Sequence, residues 1–274
     1  MKVINTVNEL QEELVKCTGT IALVPTMGAL HQGHLSLVSR AVAECNHVVV
    51  TIFVNPTQFN DPKDLERYPR TLDADCALLE PSGVGIIFAP TPAEVYPEGY
   101  QGRSFDFGNL DKVMEGAARP GHFAGVSQVV SRLLEIVKPT KAYFGEKDFQ
   151  QLAIIRSMVL QGGYPVEVVG CPIVRAQSGL ALSSRNALLT EQQRQNATTI
   201  FSVLTKMSAL GGPARQVEAW GAEQINRGGE LRVEYIEIVD RKTLLKADQA
   251  DSNSQICAAV HCGKIRLIDN MQCK

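Results

Sequence analysis

Short apolar segments alternate with segments of helical periodicity along the first two thirds of this 274-residue chain. The strand-like segments lie at residues 20–24, 48–54, 84–88, 141–144 and 166–169. The helix-like segments between them lie at residues 34–45, 71–79, 125–137 and 148–160. The first strand is predicted to end before Pro25, and the second is apolar along nearly its whole length, as in a parallel strand covered on both faces. This alternation predicts an α/β fold with a Rossmann-like, doubly wound parallel sheet.

The pattern changes after about residue 174, where two helix-like segments are followed by three consecutive strand-like segments. These segments lie at residues 190–210, 213–226, 233–239, 256–260 and 265–268. Thr190 is the predicted N-cap of the first helix. Helices followed by consecutive strands are typical of a smaller α+β domain. The sequence therefore predicts two domains, residues 1–174 and residues 175–274.

Composition excludes several classes of protein. Lysine and arginine together number 27 and aspartate and glutamate 29, so the net charge of −2 gives no basic field for nucleic acid. The longest apolar stretch, residues 47–54, is far shorter than the roughly 18 to 20 residues of a membrane helix. The amino terminus is polar by its fifth residue, which argues against a signal peptide. Seven scattered cysteines without a Cys-x-x-Cys motif indicate free thiols in a reducing cytoplasm.

The most specific local motif is PTMGALHQGH at residues 25–34. A strand leads into a glycine-bearing turn, and His31 and His34 then open a helix. Free N–H groups and the positive end of the helix dipole favour phosphate at such a position. The two imidazoles could also donate hydrogen bonds to a triphosphate as charge develops on a leaving group. The alternative is that they are only an exposed turn residue and a helix-start residue.

Two further motifs carry amide and imidazole groups. FVNPTQF at residues 53–59 places Asn55 and Gln58 at the carboxyl end of a predicted strand, where ligands bind in open α/β sheets. Their amides suit the hydroxyl and carboxylate groups of a small polar substrate, although a plain Asn-Pro turn is an equal alternative. PGHFAGV at residues 120–126 places His122 before an amphipathic helix, and a tight loop is the favoured interpretation there.

Two motifs carry groups suited to phosphate. YFGEKDFQQ at residues 143–151 ends a strand at Gly145, followed by Lys147, which could neutralise phosphate oxygens, and by Asp148, which could bind a ribose hydroxyl or cap the next helix. SGLALSSRN at residues 178–186 holds adjacent hydroxyls and an arginine that suit charge-assisted phosphate binding. A solvated turn is the alternative for the second motif.

Candidate metal ligands are weaker. Cys257, His261 and Cys262 have suitable chemistry, but they lie in an apolar strand without a second ligand pair, so packing in the core is expected. Asp73 and Asp75 could help to hold Mg²⁺, but a solvated helix face is the favoured interpretation. The sequence does not assign metal ligands.

Taken in order, these five motifs and the terminal GKIRLIDN resemble the pantoate–β-alanine ligase family over nearly the whole chain. The His-x-Gly-His element is similar to the HIGH signature of nucleotidyltransferases and class I aminoacyl-tRNA synthetases, and SSRN lies where those proteins have a KMSKS-like loop. The resemblance implies that the carboxylate of (R)-pantoate attacks ATP to give pantoyl adenylate and pyrophosphate. The amine of β-alanine then forms pantothenate and releases AMP. It also implies Mg²⁺ with the ATP and a cytoplasmic homodimer.

Residue roles follow from the same resemblance. It implies an ATP site formed by Met27, Gly28, Ala29, Leu30, His31, Gln32, Gly33, His34, Gly145, Glu146, Lys147, Asp148, Val174, Leu182, Ser183, Ser184 and Arg185. Within this set His34 is the implied proton donor, with His31, Lys147, Ser184 and Arg185 as the other catalytic groups. The implied pantoate contacts are Gln58 and Gln151, flanked by Asn55, Arg119 and His122. Residues 1–174 would bind ATP and pantoate, and residues 175–274 would act as a lid.

Two other functions are compatible with parts of this pattern. A nucleotidyltransferase without an amine acceptor would need the histidine motif but not the two glutamines. A non-catalytic nucleotide sensor is possible because a fold does not determine a function. A sensor, however, has no need of His31, His34, Lys147, Ser184 and Arg185 together, so the ligase is the favoured hypothesis.

Overall fold

The computed structural model of the chain describes residues 1–59 and 62–274, apart from the side chain of Asp64. The strands are β1 (Lys2–Ile4), β2 (Ile21–Thr26), β3 (His47–Ile52), β4 (Ile86–Phe88), β5 (Lys141–Gly145), β6 (Glu167–Cys171), β7 (Gly212–Pro213), β8 (Leu231–Asp240), β9 (Gln249–Ala250), β10 (Ser254–Cys262) and β11 (Ile265–Gln272). The α-helices are α1 (Val7–Leu14), α2 (Gln32–Glu44), α3 (Pro62–Arg67), α4 (Leu72–Leu79), α5 (Pro92–Val95), α6 (Met114–Ala118), α7 (His122–Val137), α8 (Phe149–Gly162), α9 (Glu191–Leu210) and α10 (Ala214–Asn226).

The chain forms two compact units. The first consists of Met1–Asp111, Arg119–Glu146 and Gln151–Pro172. The second consists of Lys112–Ala118, Lys147–Gln150 and Ile173–Lys274. Two short segments from the first two thirds of the chain thus belong with the C-terminal third.

The first unit is built on a six-stranded parallel sheet with the order β1-β4-β3-β2-β5-β6. Successive side chains of a strand point to opposite faces, and here both faces are buried. Leu23 and Val49 join one apolar core with residues of α7 and α8, whereas Val24 and Val50 join another with residues of α2. This confirms the predicted Rossmann-like, doubly wound sheet, because a core on each face requires helices on each face.

Several element boundaries differ from the prediction. β2 continues through Pro25 to Thr26. The oxygen of Ile21 accepts from Thr140 beside β5, and the oxygen of Thr26 accepts from Phe53 after β3. Because backbone groups point to alternate sides along a strand, the backbone nitrogen of Pro25 faces β5 and not β3. The pairing with β5 ends at Leu23, so the N–H that proline lacks removes no hydrogen bond of the sheet.

The helices α2 and α7 begin earlier than predicted, at Gln32 and His122. β1 and α1 were not predicted. β1 has only three residues, which is too short for a periodic signal, and it is a strand because it pairs with β4 at the edge of the sheet.

The second unit contains the antiparallel sheet β11-β10-β8 and the short pair β7-β9. Apolar residues of α9 and α10 pack against this sheet in a single core. Thr190 caps α9 as predicted, since its side chain accepts from the backbone N–H of Gln193 and the Gln193 side chain accepts from Thr190 in return. The smaller α+β body is therefore confirmed. Over residues 1–59 and 62–274, no helix is both long and apolar enough to cross a membrane.

Candidate active site

The order of strands in the first unit defines where a ligand can bind. β2 has β3 on one side and β5 on the other, so the chain reverses its direction of progress across the sheet at the β2–β5 pair. In open α/β sheets, ligands bind outside the carboxyl ends of the strands at this reversal. Residues 27–34 follow β2 at this position. Gly145 is the last residue of β5 there, and Glu146 follows it. Two of the predicted motifs therefore meet at the favoured ligand position of the sheet.

His31 and His34 cap α2 reciprocally. The Nδ1 atom of His31 accepts from the backbone N–H of Gly33 at 3.1 Å, and the Nδ1 atom of His34 accepts from the backbone N–H of His31 at 3.2 Å. The two rings are 4.1 Å apart between centroids. Because each Nδ1 atom is an acceptor, a neutral ring must carry its proton on Nε2. The helix cap thus selects the tautomer in which Nε2 is the donor of both imidazoles.

The loop before this helix is held by a carboxylate that the sequence pattern places on a solvated helix face. Asp75 is buried, and its two oxygens accept from the backbone N–H groups of Ala29 at 3.0 Å and Leu30 at 2.7 Å. The Thr71 hydroxyl donates to the same carboxylate at 3.2 Å. The expected solvated helix face is therefore wrong for Asp75. The signal was missed because its partners lie 45 and 46 residues away in the sequence.

The backbone of this loop is unusual, with positive φ angles of 80° at Gly28 and 50° at Ala29. A Cβ atom on Gly28 would lie 3.0 Å from Asp75 Oδ2 and 3.1 Å from Ile52 Cγ2. The left-handed conformation is uncommon for alanine, so the Asp75 carboxylate compensates for it by binding the two N–H groups that this conformation presents.

Asn55 organises the second motif. It is buried, and its Nδ2 group donates to the side-chain Oε1 atom of Gln58 and to the backbone oxygen of Gly125, both at 3.1 Å. Its Oδ1 atom accepts from the Thr57 hydroxyl at 3.1 Å and from the Tyr96 hydroxyl at 2.9 Å. The Asn-Pro turn and the polar site are thus the same structure, because the turn holds the Gln58 amide in place.

Burial raises the pKa of Tyr96 to about 12, so its hydroxyl remains a donor at neutral pH. The Gln58 side chain donates through Nε2 to the sulfur of Met27 at 3.0 Å. A thioether is a weak acceptor, so this amide is held in position by a contact that a hydroxyl or carboxylate can readily replace.

The third motif packs on the second. The Nδ1–H of His122 donates to the backbone oxygen of Gln58 at 3.0 Å, since the Nε2 atom of the same ring lies 3.0 Å from the Arg119 guanidinium and must accept. A Cβ atom on Gly125 would lie 2.4 Å from the Thr57 oxygen. Glycine is required there for α7 to approach the turn, and the tight-loop interpretation of residues 120–126 is only part of their role.

The remaining candidates of the first unit lie at the end of β5 and at the start of α8. Gly145 is the last residue of β5 and pairs with Cys171, and Glu146 follows it in a single 3₁₀ turn. Gln151 lies in the first turn of α8 and is half-buried.

Lys147 and Asp148 belong to the second unit. The Lys147 ammonium lies 3.9 Å from the Asp148 carboxylate, and the backbone oxygen of Lys147 accepts from the Asn270 side chain at 2.8 Å. Asp148 lies in the 3₁₀ turn that precedes α8.

A second group of candidates in this unit surrounds a tight turn. The backbone oxygen of Val174 accepts from the N–H of Leu182 at 3.0 Å, and Arg175 pairs with Ala181 across the turn. Ser183 then caps the 3₁₀ helix Ser184–Leu188 by accepting from the N–H of Arg185 at 3.3 Å. The structure thus places Leu182 directly before this cap and Ser183, Ser184 and Arg185 in the cap and first turn of the 3₁₀ helix, all half-buried.

The candidate metal ligands of the C-terminal strands are structural. Cys257 and Cys262 are buried in β10, and burial raises the pKa of both thiols. The Nε2 atom of His261 lies 3.0 Å from the Glu234 carboxylate. Core packing is therefore confirmed for these cysteines, and within the described ranges no three such side chains are grouped as metal ligands would be.

The parallel sheet and the histidine pair at the start of α2 define a class, the Rossmann-like α/β proteins with an anion-favouring helix end at the reversal of the sheet. Within that class, the family model of pantoate-beta-alanine ligase matches residues 2–272, and the chain belongs to this family.

Relatives support the assignment along the whole chain. The pantothenate synthetase of Phocaeicola vulgatus is 55% identical over 100% of both chains. The crystal structure of pantothenate synthetase from Thermus thermophilus superposes with a TM-score of 0.93 at 44% identity and covers 99% of each chain. The structure of pantoate-beta-alanine ligase from Francisella tularensis, complexed with beta-gamma ATP and beta-alanine, gives a TM-score of 0.86 at 35% identity and covers 99% of this chain and 97% of that one.

Proposed function

We propose that this chain condenses (R)-pantoate with β-alanine to form pantothenate through a pantoyl adenylate. The observation that carries the proposal is the reciprocal cap of His31 and His34 on α2, which makes Nε2 the donor of both rings at the phosphate-favouring end of a helix. Nucleotidyl transfer needs positioning and charge neutralisation rather than a covalent enzyme intermediate. The buried, high-pKa thiols such as Cys257 fit this scheme as inert groups.

In the first step an oxygen of the pantoate carboxylate attacks the α-phosphorus of ATP. The new O–P bond forms as the bond to the β-phosphate oxygen breaks, and pyrophosphate leaves with the electron pair. His34 would donate a hydrogen bond from Nε2 to the phosphate oxygens, with His31 beside it. Lys147 and Arg185 would neutralise the charge that develops on the leaving group, and Ser184 would donate a hydrogen bond to it.

Pantoate would be held by amides. The Gln58 side chain would exchange its weak contact with the Met27 sulfur for a pantoate oxygen, and Gln151 would provide the other contact. Asn55 and His122 bind Gln58 through its side chain and its backbone oxygen, so we assign them to holding this pocket.

The nucleotide would be bound by the loops after β2 and β5 and by the turn at residues 174–185. Met27 to His34 and Gly145 to Asp148 would bind ATP, with Asp148 near the ribose. Val174 would contact adenine through its backbone, and Leu182 to Arg185 would close over the phosphates.

In the second step the amine of β-alanine attacks the acyl carbon of the adenylate. The C–N bond forms as the bond from the acyl carbon to the AMP oxygen breaks, AMP leaves with that electron pair, and the amine proton passes to solvent. Residues 1–174 would bind ATP and pantoate, and residues 175–274 would serve as a lid that excludes water from the reactive acyl phosphate.

Mg²⁺ enters this proposal as part of the substrate. Over residues 1–59 and 62–274 no group of three carboxylate, histidine or cysteine side chains is arranged to hold a metal, and the carboxylate of Asp75 is already bound to two backbone N–H groups. Mg²⁺ commonly binds through substrate phosphates with few protein ligands. The ion would therefore arrive on the triphosphate of ATP. We also assign the protein to the reducing cytoplasm, which fits its seven free thiols. We further propose a homodimer, which light scattering would test.

The test is pantoate-dependent exchange of labelled pyrophosphate into ATP without β-alanine, followed by AMP release when β-alanine is added. Exchange that requires pantoate, with release that requires the amine, is the expected result. Exchange without amine-dependent release would indicate a nucleotidyltransferase with another acceptor. ATP binding without exchange would overturn the catalytic assignment in favour of a sensor.

The histidine assignment has its own variants. We expect His34→Ala and His31→Ala each to lower the exchange rate by about a hundredfold or more, since each removes a donor to developing charge. His47→Gln is the matched control, because His47 is the first residue of β3 and lies at the amino end of the parallel strands, away from the carboxyl ends where ligands bind. Equal rates in the His34 variant and this control would contradict the assignment.

A further inference from the structure

The lysine that the proposed function places on the phosphates is bound by a side chain of β11 within the second unit. Asn270 of β11 donates from Nδ2 to the backbone oxygen of Lys147 at 2.8 Å. The Oδ1 atom of Asn270 in turn accepts from the Gln255 side chain of β10 at 2.7 Å. We propose that Asn270 is a positioning residue for the phosphate-binding lysine, and this inference rests on the proposed function.

The geometry makes the Asn270 amide directional. Asn270 and Gln255 are both about 5% exposed, so water does not compete effectively for their hydrogen bonds. Gln255 donates to the amide oxygen, which fixes the orientation of the amide and leaves its NH₂ group aimed at the Lys147 carbonyl. The main chain of Lys147 is thereby held by a relay that begins on the central strand of the antiparallel sheet.

The backbone oxygen is the useful point at which to hold this residue. A lysine has four rotatable bonds and binds phosphate as a point charge, so its reach depends on where its Cα atom is held. Lys147 lies in a 3₁₀ turn with its side chain only 18% exposed. A hydrogen bond to its carbonyl fixes the peptide plane that carries the side chain and reduces the ordering cost when phosphate binds.

The residue next to Asn270 performs a related task for the second phosphate-binding segment. Asp269 accepts two hydrogen bonds from Arg175, at 2.7 and 2.9 Å. Arg175 also donates to the oxygen of Gly179 at 3.2 Å and lies over the Phe201 ring at 4.4 Å, so it closes the turn that leads to Ser184 and Arg185. Two consecutive residues of β11 thus anchor both proposed phosphate-binding segments of this unit.

The test compares Asn270→Ala with Ser254→Ala. Ser254 is a buried polar residue of the same sheet whose hydroxyl donates to the oxygen of Gln249 and to the carboxylate of Asp251, away from Lys147. Both changes should lower Tm. Only Asn270→Ala should raise KM for ATP and lower kcat/KM for ATP, by about ten- to a hundredfold, while KM for pantoate stays unchanged.

A double-variant cycle separates positioning from general damage. In a Lys147→Ala background, Asn270→Ala should cost less than about a further twofold, because the group it positions is gone. If Asn270→Ala does not fold, Gln255→Met carries the test, since it removes the orienting donor and leaves Asn270 in place. It should give the same selective rise in KM for ATP, to a smaller extent.

Three results would overturn the inference. These are equal ATP kinetics for the Asn270 and Ser254 variants, a full additional loss in the Lys147→Ala background, or ATP kinetics of Lys147→Ala that match the parent enzyme. Each of these results overturns the inference only if the parent enzyme itself catalyses pantoate-dependent exchange. A parent enzyme without that exchange would instead overturn the proposed function, and the inference with it.

Discussion

The buried carboxylate of Asp75 accepts a hydrogen bond from the backbone N–H of Leu30 at 2.7 Å, across 45 residues of sequence. The adjacent N–H of Ala29 binds the other carboxylate oxygen. A side chain on α4 therefore determines the path of the loop that delivers His31 to its cap position on α2.

We expect Asp75→Asn to lower kcat/KM for ATP by about ten- to a hundredfold, because an amide offers one acceptor oxygen where the loop presents two N–H donors. Asp73→Asn is the matched control, since Asp73 lies on the same helix and is exposed. The measurement is the exchange rate as a function of ATP concentration. An Asp75 variant as active as the Asp73 variant would show that the loop holds its shape without the carboxylate.

Gly125→Ala should destabilise the protein by about 1 to 3 kcal/mol, because the new methyl group would meet the backbone oxygen of Thr57, which has little freedom to move. It should also raise KM for pantoate, since the same turn carries Gln58. Gly228→Ala introduces a methyl group into open space and should change the free energy of unfolding by less than about 0.5 kcal/mol. Urea unfolding of the two variants would decide, and equal stabilities would contradict the close contact.

Glu115→Gln should cost about 2 to 4 kcal/mol of unfolding free energy. Glu115 accepts two hydrogen bonds from Arg266, at 2.6 and 2.9 Å, and one from Tyr235 at 2.7 Å. Its loss leaves a largely buried guanidinium with only the Glu234 carboxylate, at 2.6 Å, as a counter-charge. The exposed pair of Glu223 and Arg227 provides the contrast, and Glu223→Gln should cost no more than about 0.5 kcal/mol. Denaturant titration gives the unfolding free energies of both variants, and equal losses would contradict the view that burial makes the Glu115 pair the stronger one.

Acid should destabilise the protein partly through Glu44. Hydrogen bonds from Arg40, then Lys141 and Tyr143, lower the pKa of Glu44 to about 2 from its ordinary value of 4.5. Since the folded pKa lies below the unfolded one, the stabilisation is complete above pH 4.5 and is lost as the pH falls towards 2. Glu44→Gln should therefore flatten the decline of unfolding free energy over that window. Glu98→Gln, at an exposed glutamate, is the control, and equal slopes in the two variants would refute the assignment.

Local patterns in the sequence were sufficient for much of the fold. The alternating apolar segments predicted five of the six parallel strands, because a strand buried on both faces is visible as a continuous apolar run. The capping residues of α9 were likewise readable, since Thr190 and Gln193 are only three residues apart. The short β1 was not, because three residues carry no period and its conformation depends on pairing with β4.

The motifs by themselves predicted which residues are candidates for the chemistry, and the family resemblance supplied the roles that remain proposals. Only the tertiary structure decided how these residues are held. Asp75, Asn270 and Gly125 act on residues that are distant in sequence, through a buried carboxylate, a buried amide and a missing side chain. Neither spacing nor periodicity reports such contacts, because a hydrogen bond between residues more than forty positions apart exists only after the intervening chain has folded.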